Sequence, residues 1–169
     1  MNSDSQSDDV HISVVCDNEF AHYFDGERAD PIPLTRIKFQ IGETIISGDR
    51  FWIQDRPIDF FLKLLATIDG LSKSKRQFFG VEDQPRLLFE PIEETRVRVT
   101  FCLNLESVHD PDERLGIEPT AIAALEDLRT ESIRAAEELI SHILELAPRF
   151  DTHPYIVELR EEIERVRRK

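Results

Sequence analysis

From Arg50 to Leu71 the chain changes its hydrophobic period within a few residues, and the rest of the pattern is best understood from there. Phe51, Trp52 and Ile53 form a bulky, β-branched and aromatic run of the kind a half-buried strand favours. Asp55 offers an oxygen to cap a helix, and Pro57 fits a first helical turn, where its missing N–H is not needed. Ile58, Phe61, Leu65 and Ile68 then recur at helical spacing, with Phe60, Leu64 and Leu71 widening the stripe. Gly70 is the expected stop, ahead of the solvated run Ser72-Lys73-Ser74-Lys75-Arg76. A helix this apolar has to be covered, and the strands around it in sequence are the available cover.

Before this helix, residues 1–9 are polar and acidic and predict a disordered tail. HISVVC (11–16) and EFAHYF (19–24) predict two short strands about a turn at Asp17-Asn18. After a Pro-containing loop, Leu34–Ile41 alternates, with Ile37, Phe39 and Ile41 on one face and Arg36, Lys38 and Gln40 on the other. Gly42-Glu43 predicts a tight turn, and Thr44–Ser47 with Phe51–Ile53 a second hairpin about Gly48-Asp49. Beyond the helix, Gln77–Gly80 and Arg86–Glu90 are short strands, and in QFFG one of Phe78 and Phe79 must face inward.

The most regular alternation is Thr95–Leu105. Val97, Val99, Phe101, Leu103 and Leu105 face one way, and Arg96, Arg98, Thr100, Cys102 and Asn104 the other. Strict period two predicts one packed and one wet face, the habit of an antiparallel sheet. Glu106–Gly116 is a loop, Pro119 opens a helix reaching Ala147, and His153-Pro154 opens a last one. In that last helix Ile156, Leu159, Ile163 and Val166 make a single narrow seam suited to one neighbour, folded back as a hairpin on the helix before it.

Runs of strands rather than strict β-α alternation predict an α+β fold: a mainly antiparallel sheet of about six to eight short strands on a central helix, with a C-terminal helical hairpin. The organisation is a tail (1–9), the sheet with its central helix (10–116) and a helical pair (117–169) packed on the same domain. At 169 residues the chain can bury about two thirds of its unfolded surface.

Charge changes the functional picture more than it changes the fold. There are 34 acidic and 21 basic residues, a formal net charge of −13, and only five of the bases are lysine. Such a surface suits a cytoplasm held at high salt, where screening weakens self-repulsion. It argues against nucleic-acid binding through a broad basic face. No apolar run is long enough to span a bilayer, and MNSDSQSDDV has neither region of a signal peptide, so a cytoplasmic location is expected. Cys16 and Cys102 lie far apart without a CxxC and are expected as buried small hydrophobes on strands.

Three clusters carry candidate chemistry. His109-Asp110-Pro111-Asp112-Glu113 gathers an imidazole and three carboxylates that a cation could use, but its spacing matches neither an EF-hand nor a zinc pattern, and a solvated turn in an acidic chain is the preferred reading. Cys16 with His11 and His22 could bring a thiol to an imidazole, yet no third orienting group is evident. Arg36, Lys38, Arg96 and Arg98 form either an anion-binding patch or, as preferred here, cross-strand pairs with Glu90, Glu93 and Glu94. No catalytic, cofactor-binding or metal residue is assigned.

From Leu34 to Arg168 the order of elements resembles small immunity-type proteins encoded beside bacterial and archaeal toxins and small acidic proteins of haloarchaea. GDRFWIQDRPIDFFLKLL and HPYIVELREEIERV are the segments that carry this resemblance. It implies a non-catalytic protein that binds and neutralises or regulates a protein partner, and it transfers no functional residue. A small enzyme with a carboxylate or histidine site and an oligomeric structural subunit are the alternatives. Another protein is the expected partner, with no nucleic acid, membrane or cofactor, and a monomer is favoured.

Overall fold

The computed structural model describes residues 9–47, 52–73, 75–82, 85–114 and 118–169. Residues 1–8 of the expected tail, and the Gly48-Asp49 turn with Phe51, lie outside them. The class is α+β, with every strand pair antiparallel. The eight strands divide into two four-stranded sheets rather than one.

In the first sheet β2 (Thr35–Ile41) is the spine. β1 (Val10–Val14) runs along one side of it, with Ile12 opposite Phe39. β3 (Thr44–Ile45) and β4 (Ile53–Asp55) share the other side, at opposite ends of β2. Among the described residues the expected hairpin of 44–47 with 51–53 is not formed, since Thr44–Ile45 and Ile53–Asp55 each pair with β2. Gly42 takes φ 56° between β2 and β3, a left-handed conformation that suits a residue without Cβ.

EFAHYF is helix, not strand: it lies in α1 (Asn18–Tyr23). The expected Asp17-Asn18 turn is its N-cap, where Asp17 accepts from the Phe20 N–H at 3.0 Å. Phe20 and Phe24, four apart, then meet on one side as a tilted pair, 5.3 Å between ring centroids. A four-residue aromatic spacing outweighed a weak alternation.

The central helix α2 (Pro57–Leu71) is as apolar in its setting as in its sequence: Ile58, Phe60, Phe61, Leu64, Leu65 and Ile68 are fully buried. Pro57 occupies the first turn as expected. Asp55 does not cap the helix. It ends β4, buried, and accepts from the Arg56 N–H and from Lys63 Nζ at 2.8 Å. Lys63 also donates to the Gly80 carbonyl at 2.7 Å, so one ammonium on α2 ties β4 to the end of a strand of the second sheet. Gly70 does not stop the helix. The helix ends one residue later, at Leu71, and a Cβ at Gly70 would meet only the mobile end of the Gln77 side chain, at 2.6 Å.

The second sheet is a meander of β5 (Gln77–Gly80), β6 (Arg86–Glu93), β7 (Arg96–Cys102) and β8 (Thr120–Ala124). Phe79, Leu87, Phe89, Val97, Val99, Phe101 and Ala123 join the same core as α2 and the first sheet. Three expectations change here. β7 stops at Cys102, because Asn104 caps a short helix, α3 (Leu105–His109), and a 3₁₀ turn follows at Pro111–Glu113. The expected loop 106–116 is thus helical over much of its described length. Residues 120–124 are a strand beside β7 rather than the first turns of a helix, so the alanines' helix propensity yields to sheet pairing. The supposedly wet face of β7 also buries Thr100 and Cys102.

α4 (Leu125–Leu146) and α5 (Pro154–Arg167) complete the fold. Ile156, Leu159, Ile163 and Val166 are each at most 3% exposed. Each contributes about 1.5–3 kcal/mol by burial. The narrow seam packs on two neighbours, since α5 meets α2 as well as α4. Its arginines join acids locally, Arg165 to Glu162 and Arg167 to Glu164 and Glu137. No helix of the described residues is long and apolar enough to cross a membrane.

Candidate functional site

The outer face of the second sheet, turned away from the common core, carries a thin second layer built by α3. Asn104 starts that helix, its Oδ1 accepting from both the Ser107 N–H and the Ser107 hydroxyl at 2.9 Å. One turn on, Val108 drops onto Leu88 and Cys102, and the three make a separate, fully buried cluster. Arg114 returns across the end of the helix. Its Nε donates to the Ser107 carbonyl at 2.8 Å, satisfying a C-terminal acceptor of the helix, and Nη1 stands 3.9 Å from Glu90.

A helix of five residues covers little, and large side chains stay outside it. Phe78, the outward member of the Phe pair, is 41% exposed and meets the His109 ring edge-on at 5.6 Å. His109 Nδ1 is held by the Arg76 guanidinium at 3.3 Å. Leu103 and Leu105, expected to line a packed strand face, are 41% and 46% exposed at the start of α3. Glu106, Asp110, Asp112 and Glu113 are exposed on the same segment. Three exposed apolar side chains and four exposed acids thus lie about α3 and the turn that follows it.

The acidic loop itself is structural in part: Asp110 Oδ1 accepts from the Asp112 N–H at 2.9 Å and starts the 3₁₀ turn. Among the described residues no three His, Cys, Asp or Glu side chains converge as a metal set.

Cys16 lies beyond the end of β1 and is exposed, contrary to its expected burial, whereas Cys102 is buried as expected. His11 lies 3.7 Å from Glu131, and His22 hydrogen-bonds Asp25 at 2.9 Å, so neither histidine is engaged with the thiol. What does lie near Cys16 is a cleft of about 150 Å³ between β1 and α4, lined also by Val14, Leu139, Glu138 and His142. Those last two sit four apart on α4, a spacing visible in the sequence only once the helix is known to face β1. Partial desolvation, with the carboxylates of Glu138 and Asp17, pushes the Cys16 thiol up to about 11. It stays protonated at neutral pH, the opposite of an activated nucleophile.

The four cations of the proposed patch are distributed over two sheets. Arg36 pairs with Asp17 at 3.2 Å and lies over the Trp52 ring, while Arg98 stands opposite Glu90 and Arg96 opposite Glu93 in the β6–β7 ladder. Cross-strand placement beside acids holds for Arg96 and Arg98, whereas Lys38 stands opposite Ser13.

Comparison of the chain with family models, with curated proteins and with solved structures returns no match.

Proposed function

We propose that this is a non-catalytic binding protein of the immunity type, acting in a high-salt cytoplasm, which holds a basic protein partner on the α3 face of its second sheet. One observation carries the reading: Phe78, Leu103 and Leu105 are all exposed about a short helix whose segment bears four exposed acids. An apolar centre with a charged rim is how a protein contact divides affinity from specificity. At high salt only short-range charge pairs escape screening, so the four acids of this segment, rather than the net charge of −13, favour a partner with basic side chains. The alternatives have less support. The cleft that gathers Cys16, Glu138 and His142 holds its thiol protonated, and the apolar seam of α5 is consumed inside the chain rather than offered to a second subunit.

The test is quantitative co-purification from the native host with the full chain as bait. A basic protein should be recovered by wild type and at least about tenfold less by F78S/L105S, since central contacts commonly exceed 1.4 kcal/mol. V157S, which alters an exposed apolar residue on α5, should leave recovery unchanged. Equal recovery by all three, with F78S/L105S folded, rejects the α3 face.

A further inference from the structure

β1 is an edge strand, bonded to β2 on one side only. The Asp9 carbonyl accepts from the Gly42 N–H, and the Val15 N–H donates to the Arg36 carbonyl, so the odd-numbered residues bond to β2. By alternation the N–H and C=O of Val10, Ile12 and Val14 point away from the sheet, a template for another strand. At the centre of that row two side chains of α4 have taken the strand's place. Glu131 Oε1 accepts from the Ile12 N–H at 2.9 Å, and Arg134 Nη2 donates to the Ile12 carbonyl at 3.0 Å. Together they present the acceptor and donor that one residue of a neighbouring strand would present.

The pair is held in place from several directions. Arg134 binds both oxygens of Glu131, each at 2.8 Å, and reaches Glu138 at 2.5 Å. His11 stands 3.7 Å from Glu131 on the strand side. α4 is anchored beside the strand by Ala135 and Leu139, which line one cleft with Ile12 and Val14. These contacts span about 120 residues of sequence, so the arrangement is tertiary and not a helix-surface habit.

We propose that Glu131 and Arg134 form a surrogate strand that closes the β1 edge against a second copy of this chain. Without them the exposed row is self-complementary. Two β1 strands can pair antiparallel about Ile12, with Val10 of each opposite Val14 of the other, the isologous contact a two-fold dimer requires. The other side of the same sheet offers no comparable template, since β3 is two residues long and β4 three.

Three measurements test this on the full chain. In wild type the Ile12 amide should exchange with solvent as slowly as the His11 and Ser13 amides bonded to β2. In E131A/R134A it should exchange at least about tenfold faster in the monomer, the loss expected for a bond to a charged acceptor, and light scattering should show a shift from wild-type mass to twice that mass. E131Q, which keeps an acceptor oxygen at the same reach, should keep the wild-type mass. V10P added to E131A/R134A removes an edge donor where a strand start tolerates proline, and should reverse the doubling. An unprotected Ile12 amide in folded wild type overturns the proposal, and that measurement stands even where the double variant does not fold. A folded E131A/R134A of unchanged mass overturns it as well, as does a doubling that V10P leaves in place.

Discussion

The two sheets begin from equally regular alternation and end differently. In β2 every second residue, Ile37, Phe39 and Ile41, is buried while Arg36 is exposed and Lys38 and Gln40 are half-exposed, so one face is dry and the other wet. In β7 the inward residues Val97, Val99 and Phe101 are buried, but so are Thr100 and Cys102 on the opposite face. The strands do not differ in pattern; the difference is that α3 lies over one of them. Alternation therefore specifies which face is inward, and the remainder of the chain specifies whether the outward face stays wet. The thinness of the second cover leaves Phe78, Leu103 and Leu105 outside.

The comparison can be broken at its shared support. Leu65 is fully buried in α2, in the core common to both sheets, so L65A should cost about 2–5 kcal/mol in denaturant unfolding. The amides of both sheets should lose protection together, and loss confined to one sheet would mean that the sheets have separate cores.

Lys63 links the sheets by charge. Burial pushes the Asp55 carboxyl above its usual range, and Lys63 together with the Arg56 amide opposes that. K63M keeps an unbranched apolar side chain but removes the ammonium that lies over Phe79 and leaves Asp55 buried without its cation. We expect a loss of about 2–3 kcal/mol at neutral pH, below the range for breaking a wholly buried pair because Lys63 is partly solvated. A raised carboxyl costs stability only while ionised. The deficit of K63M should therefore shrink as pH falls and Asp55 takes up a proton. A deficit that is constant with pH would assign the loss to packing.

V108A sharpens the comparison. Removing two methyl groups from the small cluster with Leu88 and Cys102 should cost about 1.5 kcal/mol. It should raise amide exchange in α3 without touching the first sheet, whereas K38A on the first sheet's outer face should stay within about 0.5 kcal/mol of wild type.

The smallest effect is the titration of Glu131. Partial burial draws its carboxyl up, but Arg134, the Ile12 amide and His11 outweigh this and hold it below the usual range. A depressed folded carboxyl contributes stability above its unfolded value near 4.5 that is lost as pH falls through the folded one. Wild type should therefore lose more stability than E131Q on acidification through that window, and parallel acid limbs for the two would remove Glu131 from the β1 contact.

What the sequence determined by itself was whatever rests on short-range periodicity and composition. The stripe Ile58, Phe61, Leu65, Ile68 makes α2, Pro57 begins it, and the seam Ile156 to Val166 makes α5, because four apolar residues on one helical face must be buried wherever the helix lies. That Phe78 and Phe79 face opposite ways follows from the period of two, and packing on the core turned Phe79 inward. Tertiary structure decided the rest, wherever two local options differed by less than a long-range contact supplies. Ala121, Ala123 and Ala124 would sit well in a helix, yet they form β8 because β7 has an unpaired edge there. Cys102 is dry because α3 folds over it. The β1 cap joins Ile12 to Glu131 and Arg134, residues that no local pattern could pair, since backbone edges carry no side-chain code and find partners only when the chain has folded.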